Sequence, residues 1–152
     1  MMPELVVATV HAPQWRKLET ILLVEDEAFV RKAAAEVLES AGYRLMIAES
    51  PAEALELSRQ SSGKVDLLLA DIVMPGMSGH ELAAKFEKLC PQPRVLLMSG
   101  YAENGYAERS PRHGTSPYGS GYLAKPFSTE TLLEKVRELL DANLFDLELQ
   151  PN

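Results

Sequence analysis

Asp66–Gly79, DLLLADIVMPGMSG, decides how this chain is read. Leu67 to Ala70 is a short continuous apolar run, and a turn-rich segment containing Pro75, Gly76 and Gly79 follows it. A run of that length bounded by turn signals reads as a strand buried on both faces, as in a parallel sheet covered by helices. Asp71 stands at its C-terminal end, where open α/β sheets place their ligands. Alone, an aspartate there reads equally well as a loop starter or helix cap. Its neighbours in the fold decide between the two.

Outward from this stretch the pattern repeats. Thr20 to Val24 (TILLV) reads as a first buried strand, followed by Glu25, Asp26 and Glu27. Val30, Ala33, Ala34, Val37, Leu38 and Ala41 recur at helical spacing from Ala28, and Gly42 sits where a glycine ends a helix. Arg44 to Ala48 reads as the second strand. Ser50, Pro51 and Glu53 start the next helix, with Ser50 as cap, Pro51 at the first helical position and Glu53 completing a capping box; Gly63 closes the unit. The third strand is expected over Val65 to Ala70. Ser78 and Glu81 form a second capping box, ahead of a stripe of Leu82, Phe86 and Leu89 that Pro91 and Pro93 end. Val95 to Met98 and Tyr122 to Ala124 are expected as strands four and five. Ser128 caps a last helix bearing Leu132, Leu133, Val136, Leu139 and Leu140.

Strands alternating with helices predict an α/β fold: a doubly wound, five-stranded parallel sheet of order 2-1-3-4-5, flavodoxin-like. One unit is irregular. Residues 100–124, GYAENGYAERSPRHGTSPYGSGYLA, are rich in Gly, Ser and Pro, so the fourth helix is expected to be short, over Ala102 to Arg109, with a loose loop after it. Residues 1–18 read as a leader or linker, 19–141 as the folded domain and 142–152 as a C-terminal tail. In the tail, NLFDLELQ alternates apolar and acidic residues; a frayed helix end is its plainer reading, a docking strand or helix the other.

Composition narrows the function. At 152 residues the chain suits a single domain with a core of its own. Fifteen basic against 22 acidic residues give a net charge of −7, which disfavours nucleic-acid binding because phosphates require Lys or Arg. The single cysteine, Cys90, excludes an intrachain disulfide. His11, His80 and His113 show no metal-ligand spacing. No apolar run is long enough to span a bilayer, the start of the chain lacks a basic signal-peptide region, and the cytoplasm is the expected location.

In a 2-1-3-4-5 sheet, strands one, three, four and five are neighbours. The residues at their C-terminal ends then converge: Glu25 and Asp26, Asp71, Ser99, and Lys125 ahead of Pro126. Clustered carboxylates repel one another and call for a hard cation. Mg²⁺ takes oxygen ligands, keeps waters, and is commonly held by one or two carboxylates plus a phosphate. A carboxylate can also attack phosphorus to form an aspartyl phosphate. Such transfer needs mainly positioning and charge neutralisation. Lys125 could balance remaining negative charge, and Ser99 could hydrogen-bond a phosphoryl oxygen. Singly, each residue has a plainer reading as a helix-start acid, a turn serine or a solvated lysine.

With these pieces in order, the chain resembles the receiver domain of bacterial two-component response regulators. The matching segments are ILLVEDE (21–27), DLLLADIVMPGMSG (66–79), VLLMSGY (95–101) and YLAKPF (122–127). The resemblance implies that Asp71 is the phosphoacceptor, served by a histidine kinase or histidine phosphotransfer protein. It implies that Glu25, Asp26, Asp71 and the main-chain carbonyl of Val73 hold Mg²⁺. Ser99 falls on the switch hydroxyl, Tyr122 on the aromatic switch residue and Lys125 on the phosphate-binding lysine; Lys125–Pro126 falls on a peptide bond usually cis in the family. The chain departs from the family in carrying Glu25 where Asp is commoner, and in its Gly- and Ser-rich fourth unit, part of the face the family uses for output and dimerisation. MSGYAENG with YLAKPFS looks most like receivers of hybrid histidine kinases.

The function so implied is a phosphorylation-activated signalling switch, not an enzyme acting on a separate substrate. It would contact an unidentified downstream protein as a monomer or weak homodimer. The short remainder after the last helix leaves no room for an output domain, so a stand-alone receiver or one belonging to a hybrid kinase is expected. Val73 and Tyr101 offer no group to activate water, which implies slow autodephosphorylation. Three rivals fare worse. A phosphatase of the haloacid dehalogenase type needs Asp-x-Asp at the first strand, where this chain has Glu25-Asp26-Glu27. A flavin carrier needs a hydroxyl- and Gly-rich phosphate loop there, and acids repel phosphate. A receiver without chemistry would lack site residues, and all five positions here are filled.

Overall fold

The computed structural model describes residues 18–91, 93–100 and 120–142. The expected fourth helix, most of the leader and most of the tail lie outside them. The described elements are β1 (Thr20–Val24), α1 (Ala28–Ser40), β2 (Arg44–Ala48), α2 (Pro51–Gln60), β3 (Leu67–Asp71), α3 (Gly79–Glu87), β4 (Val95–Ser99), β5 (Ser120–Ala124) and α4 (Thr129–Asp141). All strand pairs are parallel and the sheet order is β2-β1-β3-β4-β5, as expected.

Side chains alternate across the strands, so the sheet builds two cores. Leu22, Val24, Leu68, Ala70 and Leu97 pack on one side against Ala54 and Leu55 of α2 and Leu82 and Phe86 of α3. Ile21, Leu23, Leu67, Leu69 and Met98 pack on the other against Ala34 and Leu38 of α1 and Leu132 and Val136 of α4. β1, β3 and β4 are buried throughout, which is why their sequences read as unbroken apolar runs rather than alternation. Each fully buried leucine contributes roughly 1.5–3 kcal/mol relative to exposure.

The helix starts and the end of α1 follow the residues expected to set them, whereas α3 stops at Glu87, short of Leu89 and of the prolines expected to end it. Ser78 Oγ accepts from Glu81 N–H at 3.1 Å, and the Glu81 carboxylate accepts from Ser78 N–H at 2.9 Å, a complete capping box. At α2 the box is displaced. Ser50 Oγ accepts from Glu53 N–H, but the Glu53 carboxylate reaches past the cap to Glu49 N–H at 2.8 Å. Gly42, expected to end α1, has φ +100°, a conformation that costs other residues a steric clash.

Some boundaries move. β3 starts at Leu67 rather than Val65, because the Asp66 carboxylate takes Thr20 N–H at 2.7 Å as the chain enters the sheet. It runs one residue further than expected, so that Asp71 is itself a strand residue in register with Met98. β4 extends to Ser99, which pairs with Ala124, and β5 begins at Ser120. On α1 the buried alanines are Ala34 and Ala35, whereas Ala33 and Ala41 are exposed. A run of three alanines cannot reveal its inward side from hydrophobicity alone.

Candidate functional site

Apart from Tyr122, which lies in the middle of β5 in register with Leu97, every sequence-expected site residue within the described segments lies at or just beyond the C-terminal edge of the sheet. Glu25 follows β1, and its main chain still pairs with the sheet through Ala48. Asp71 closes β3 and Ser99 closes β4; both are buried. Lys125 follows β5, and its N–H donates to the Ser99 carbonyl at 2.7 Å. Backbone pairing thus fixes all four positions before any side chain is considered.

Carboxylate oxygens of Glu25, Asp26 and Asp71 lie within 4.8 Å of one another. Lys125 Nζ bridges two of these groups, 2.8 Å from Asp71 Oδ2 and 3.4 Å from Glu25 Oε1. Asp71 Oδ1 accepts a long 3.4 Å contact from Val73 N–H. Glu25 is wholly buried, Asp71 nearly so, and Asp26 is exposed. The cluster is therefore open to solvent on the Asp26 side.

The electrostatics follow from burial. Desolvation pushes the Glu25 carboxyl up to about 7. The Asp71 charge adds to that rise, while the Glu27 N–H on Glu25 Oε2 and the Lys125 ammonium oppose it. Burial alone would lower the Lys125 pKa, but the hydrogen bond to Asp71 and the two neighbouring carboxylates hold it above the ordinary lysine value. Lys125 therefore stays charged at neutral pH.

The donor set fits a hard divalent cation. Mg²⁺–oxygen distances of about 2.1 Å put octahedral ligand oxygens roughly 3 Å apart when adjacent and about 4.2 Å apart when opposite. Oxygens already within 4.8 Å need little movement to reach that spacing. Fully ionised, three carboxylates against one ammonium leave two negative charges, which a dication would neutralise. Carboxylate and main-chain oxygens suit Mg²⁺ better than softer metals.

Tyr122 lies in β5 and is partly buried. Its ring stands 5.9 Å, centroid to centroid, from that of His80 in α3, tilted by 53°. Val73 has its side chain largely exposed in the turn after β3. Lys125–Pro126 is cis. Tyr101, expected to bear on hydrolysis, lies outside the described residues.

Sequence reasoning passed over two residues beside the cluster. Arg31 Nη1 donates to the Glu25 carbonyl at 2.9 Å, and Nη2 lies 3.7 Å from Glu49 Oε2. Its spacing six residues after Glu25 carries no signal. His80 sits within a capping box and reads as a helix-start residue; only the fold brings it to Tyr122.

Comparison with known proteins gives the family. The response regulator receiver domain model matches residues 21–137, and the chain belongs to that family. It is 39% identical over 122 residues to the sensor kinase CckA of Brucella abortus, a match covering 80% of this chain and 12% of the kinase. It is 32% identical over 125 residues to the response regulator receiver protein CpdR of the same organism, covering 82% of this chain and 99% of that protein. Among solved structures, the receiver domain of the hybrid histidine kinase CckA superposes with TM-score 0.66 at 32% identity, covering 80% of this chain and 99% of that one. The chain thus spans a small part of one relative and nearly all of another. Among the described residues no helix is long and apolar enough to cross a membrane.

Proposed function

We propose that the chain is a phosphorylation-activated switch in which Asp71 accepts a phosphoryl group from a phosphohistidine. The observation that carries this reading is the Asp71 carboxylate at a strand end, hydrogen-bonded to Lys125 and within 4.8 Å of the other two acids. An Asp71 oxygen attacks phosphorus, the phosphorus–nitrogen bond of the donor breaks, and the imidazole leaves with the bonding pair. Lys125 then exchanges part of its contact with the carboxylate for one with the phosphoryl oxygens.

Glu25, Asp26, Asp71 and the Val73 carbonyl would hold Mg²⁺, which supplies charge neutralisation for the transferring group. Glu25, wholly buried and already bonded to Lys125 and Glu27 N–H, would contribute its negative charge to that site. Ser99 and Tyr122 are the switch: the hydroxyl turns to the new phosphoryl group, and Tyr122 repacks with it. Phosphorylation then biases two arrangements of this face toward the one that binds a protein partner. A histidine kinase or phosphotransfer protein is the donor.

Intact-mass spectrometry after incubation with acetyl phosphate tests the chemistry. The expected result is one phosphate adduct that requires Mg²⁺ and is lost in Asp71→Asn. An adduct that persists in that variant, or no adduct in the folded wild type, would overturn the assignment.

A further inference from the structure

At the opposite end of the sheet from Asp71, where the strands begin, the surface holds a cleft of about 710 Å³. Leu18 precedes β1, Arg44 opens β2, Lys64, Val65 and Asp66 lead into β3, and Arg94 leads into β4; all line the cleft. Three cations thus meet in one hollow of a protein with net charge −7. The one acid among these residues, Asp66, already accepts Thr20 N–H through Oδ2.

Arg94 connects the cleft to the end of α4. Its Nη2 donates to the Ala142 carbonyl at 2.6 Å, while its Nε is buried and has no hydrogen-bond partner among the described residues. A buried donor of this kind normally finds an acceptor. The chain therefore leaves α4 in direct contact with Arg94, one of the cations that line the cleft.

Those residues are Asn143-Leu144-Phe145-Asp146-Leu147-Glu148-Leu149. In an extended segment Asp146 and Glu148 share one side, and Phe145, Leu147 and Leu149 the other. At about 3.3 Å per residue, seven residues reach roughly 23 Å, ample to cross the cleft. We propose that the segment 143–149 is the occupant of this cleft, with its acids pairing with Arg44, Lys64 and Arg94 and its apolar residues with Leu18 and Val65. Because Ala142 tethers it there, docking is intramolecular and needs no high intrinsic affinity. The segment before Leu18 is the poorer occupant: Arg16 and Lys17 directly precede Leu18 and would bring like charge to the three cations.

Paramagnetic relaxation on the full chain tests this. A nitroxide is placed at Glu148→Cys in a Cys90→Ser background, leaving Asp146 to carry the charge contact. The amides of Lys64, Val65 and Asp66 are expected to lose most of their intensity, and to recover it when Arg44→Glu and Lys64→Glu are added. No broadening in a folded spectrum would overturn the proposal, as would broadening that survives the charge reversal. Broadening that vanishes on dilution with unlabelled protein would assign the cleft to a second copy's segment and overturn the intramolecular form. Should Cys90→Ser unfold the chain, Asp146→Lys with Glu148→Lys in the native-cysteine protein reads the same contact: the cleft amide shifts must move, and unmoved shifts overturn it.

Discussion

Gly79 stands directly against the main-chain carbonyl of Asp71, so close that a Cβ on residue 79 would overlap it. The Gly79 N–H also donates to the Ile72 carbonyl at 2.8 Å, which fixes the first turn of α3 over the end of β3. The absence of a side chain at 79 is therefore what lets α3 start beside Asp71. The backbone of Asp71 itself is the obstacle, so no rotamer change relieves a substitution. Gly79→Ala is expected to destabilise the fold by about 1–3 kcal/mol, the usual cost of overpacking, and to slow Asp71 phosphorylation. Urea unfolding and the acetyl phosphate reaction measure the two effects.

Mg²⁺ is expected to raise the melting temperature, since binding to the folded state alone stabilises by about 2.7 kcal/mol at a hundredfold excess over Kd. Asp26→Asn should lose most of that increment while folding normally, because Asp26 is exposed and no hydrogen bond of its side chain holds the described fold together. Thermal melts with and without Mg²⁺ decide the point.

The raised Glu25 pKa predicts a pH dependence with a definite sign. A carboxyl held at about 7 in the fold, against 4.5 ordinarily, binds its proton more tightly when folded. Its contribution to stability is complete below about 4.5 and is lost as pH rises through about 7. Without Mg²⁺, this group makes the protein less stable at about pH 8 than at about pH 5.5. Mg²⁺ binding must displace the proton, so its affinity should rise over the same interval. Glu25→Gln should flatten both profiles.

Arg137 ties three parts of the chain together. It bonds Glu19 ahead of β1 at 2.9 and 3.0 Å, Tyr43 Oη at 3.0 Å, and Asp141 at the end of α4. Burial pushes the Tyr43 phenol up, so it remains neutral and free to accept from the guanidinium. Arg137→Ala is expected to cost about 1–2 kcal/mol, modest because the side chain is a third exposed. Arg137→Lys should recover only part, since a single ammonium cannot hold Glu19 and Tyr43 together with the fork geometry of arginine. Chemical denaturation of the two variants checks the order.

The largely exposed Val73 has no polar group to hold an attacking water. The aspartyl phosphate is expected to last minutes or longer, and Val73→Asn or Val73→Glu to shorten it. Phosphate release followed over time measures this; a wild-type lifetime of seconds would contradict it.

The one-dimensional pattern determined the sheet order and the convergence of the site. Ile21–Val24, Leu67–Ala70 and Val95–Met98 are apolar without interruption because both faces of each strand are covered, and that fixes which strands are central. Once they are central, Glu25, Asp71, Ser99 and Lys125 must meet at one edge, since parallel strands all end on the same side. Ser78 and Glu81, local in sequence, likewise specified the start of α3. What depended on distant partners was hidden. The strand status of Asp71 comes from β4, the inward turn of Ala35 from packing on the sheet, and the rise in the Glu25 pKa from the depth of its burial. The reach of Arg31 to the Glu25 carbonyl, the His80–Tyr122 contact and the hold of Arg94 on Ala142 join residues by chain paths that no period or motif marks. Hydrophobic periodicity reports only whether a residue faces the core; which polar atoms meet there is decided by tertiary packing, because a hydrogen bond or an ion pair depends on ångström-scale placement of both partners.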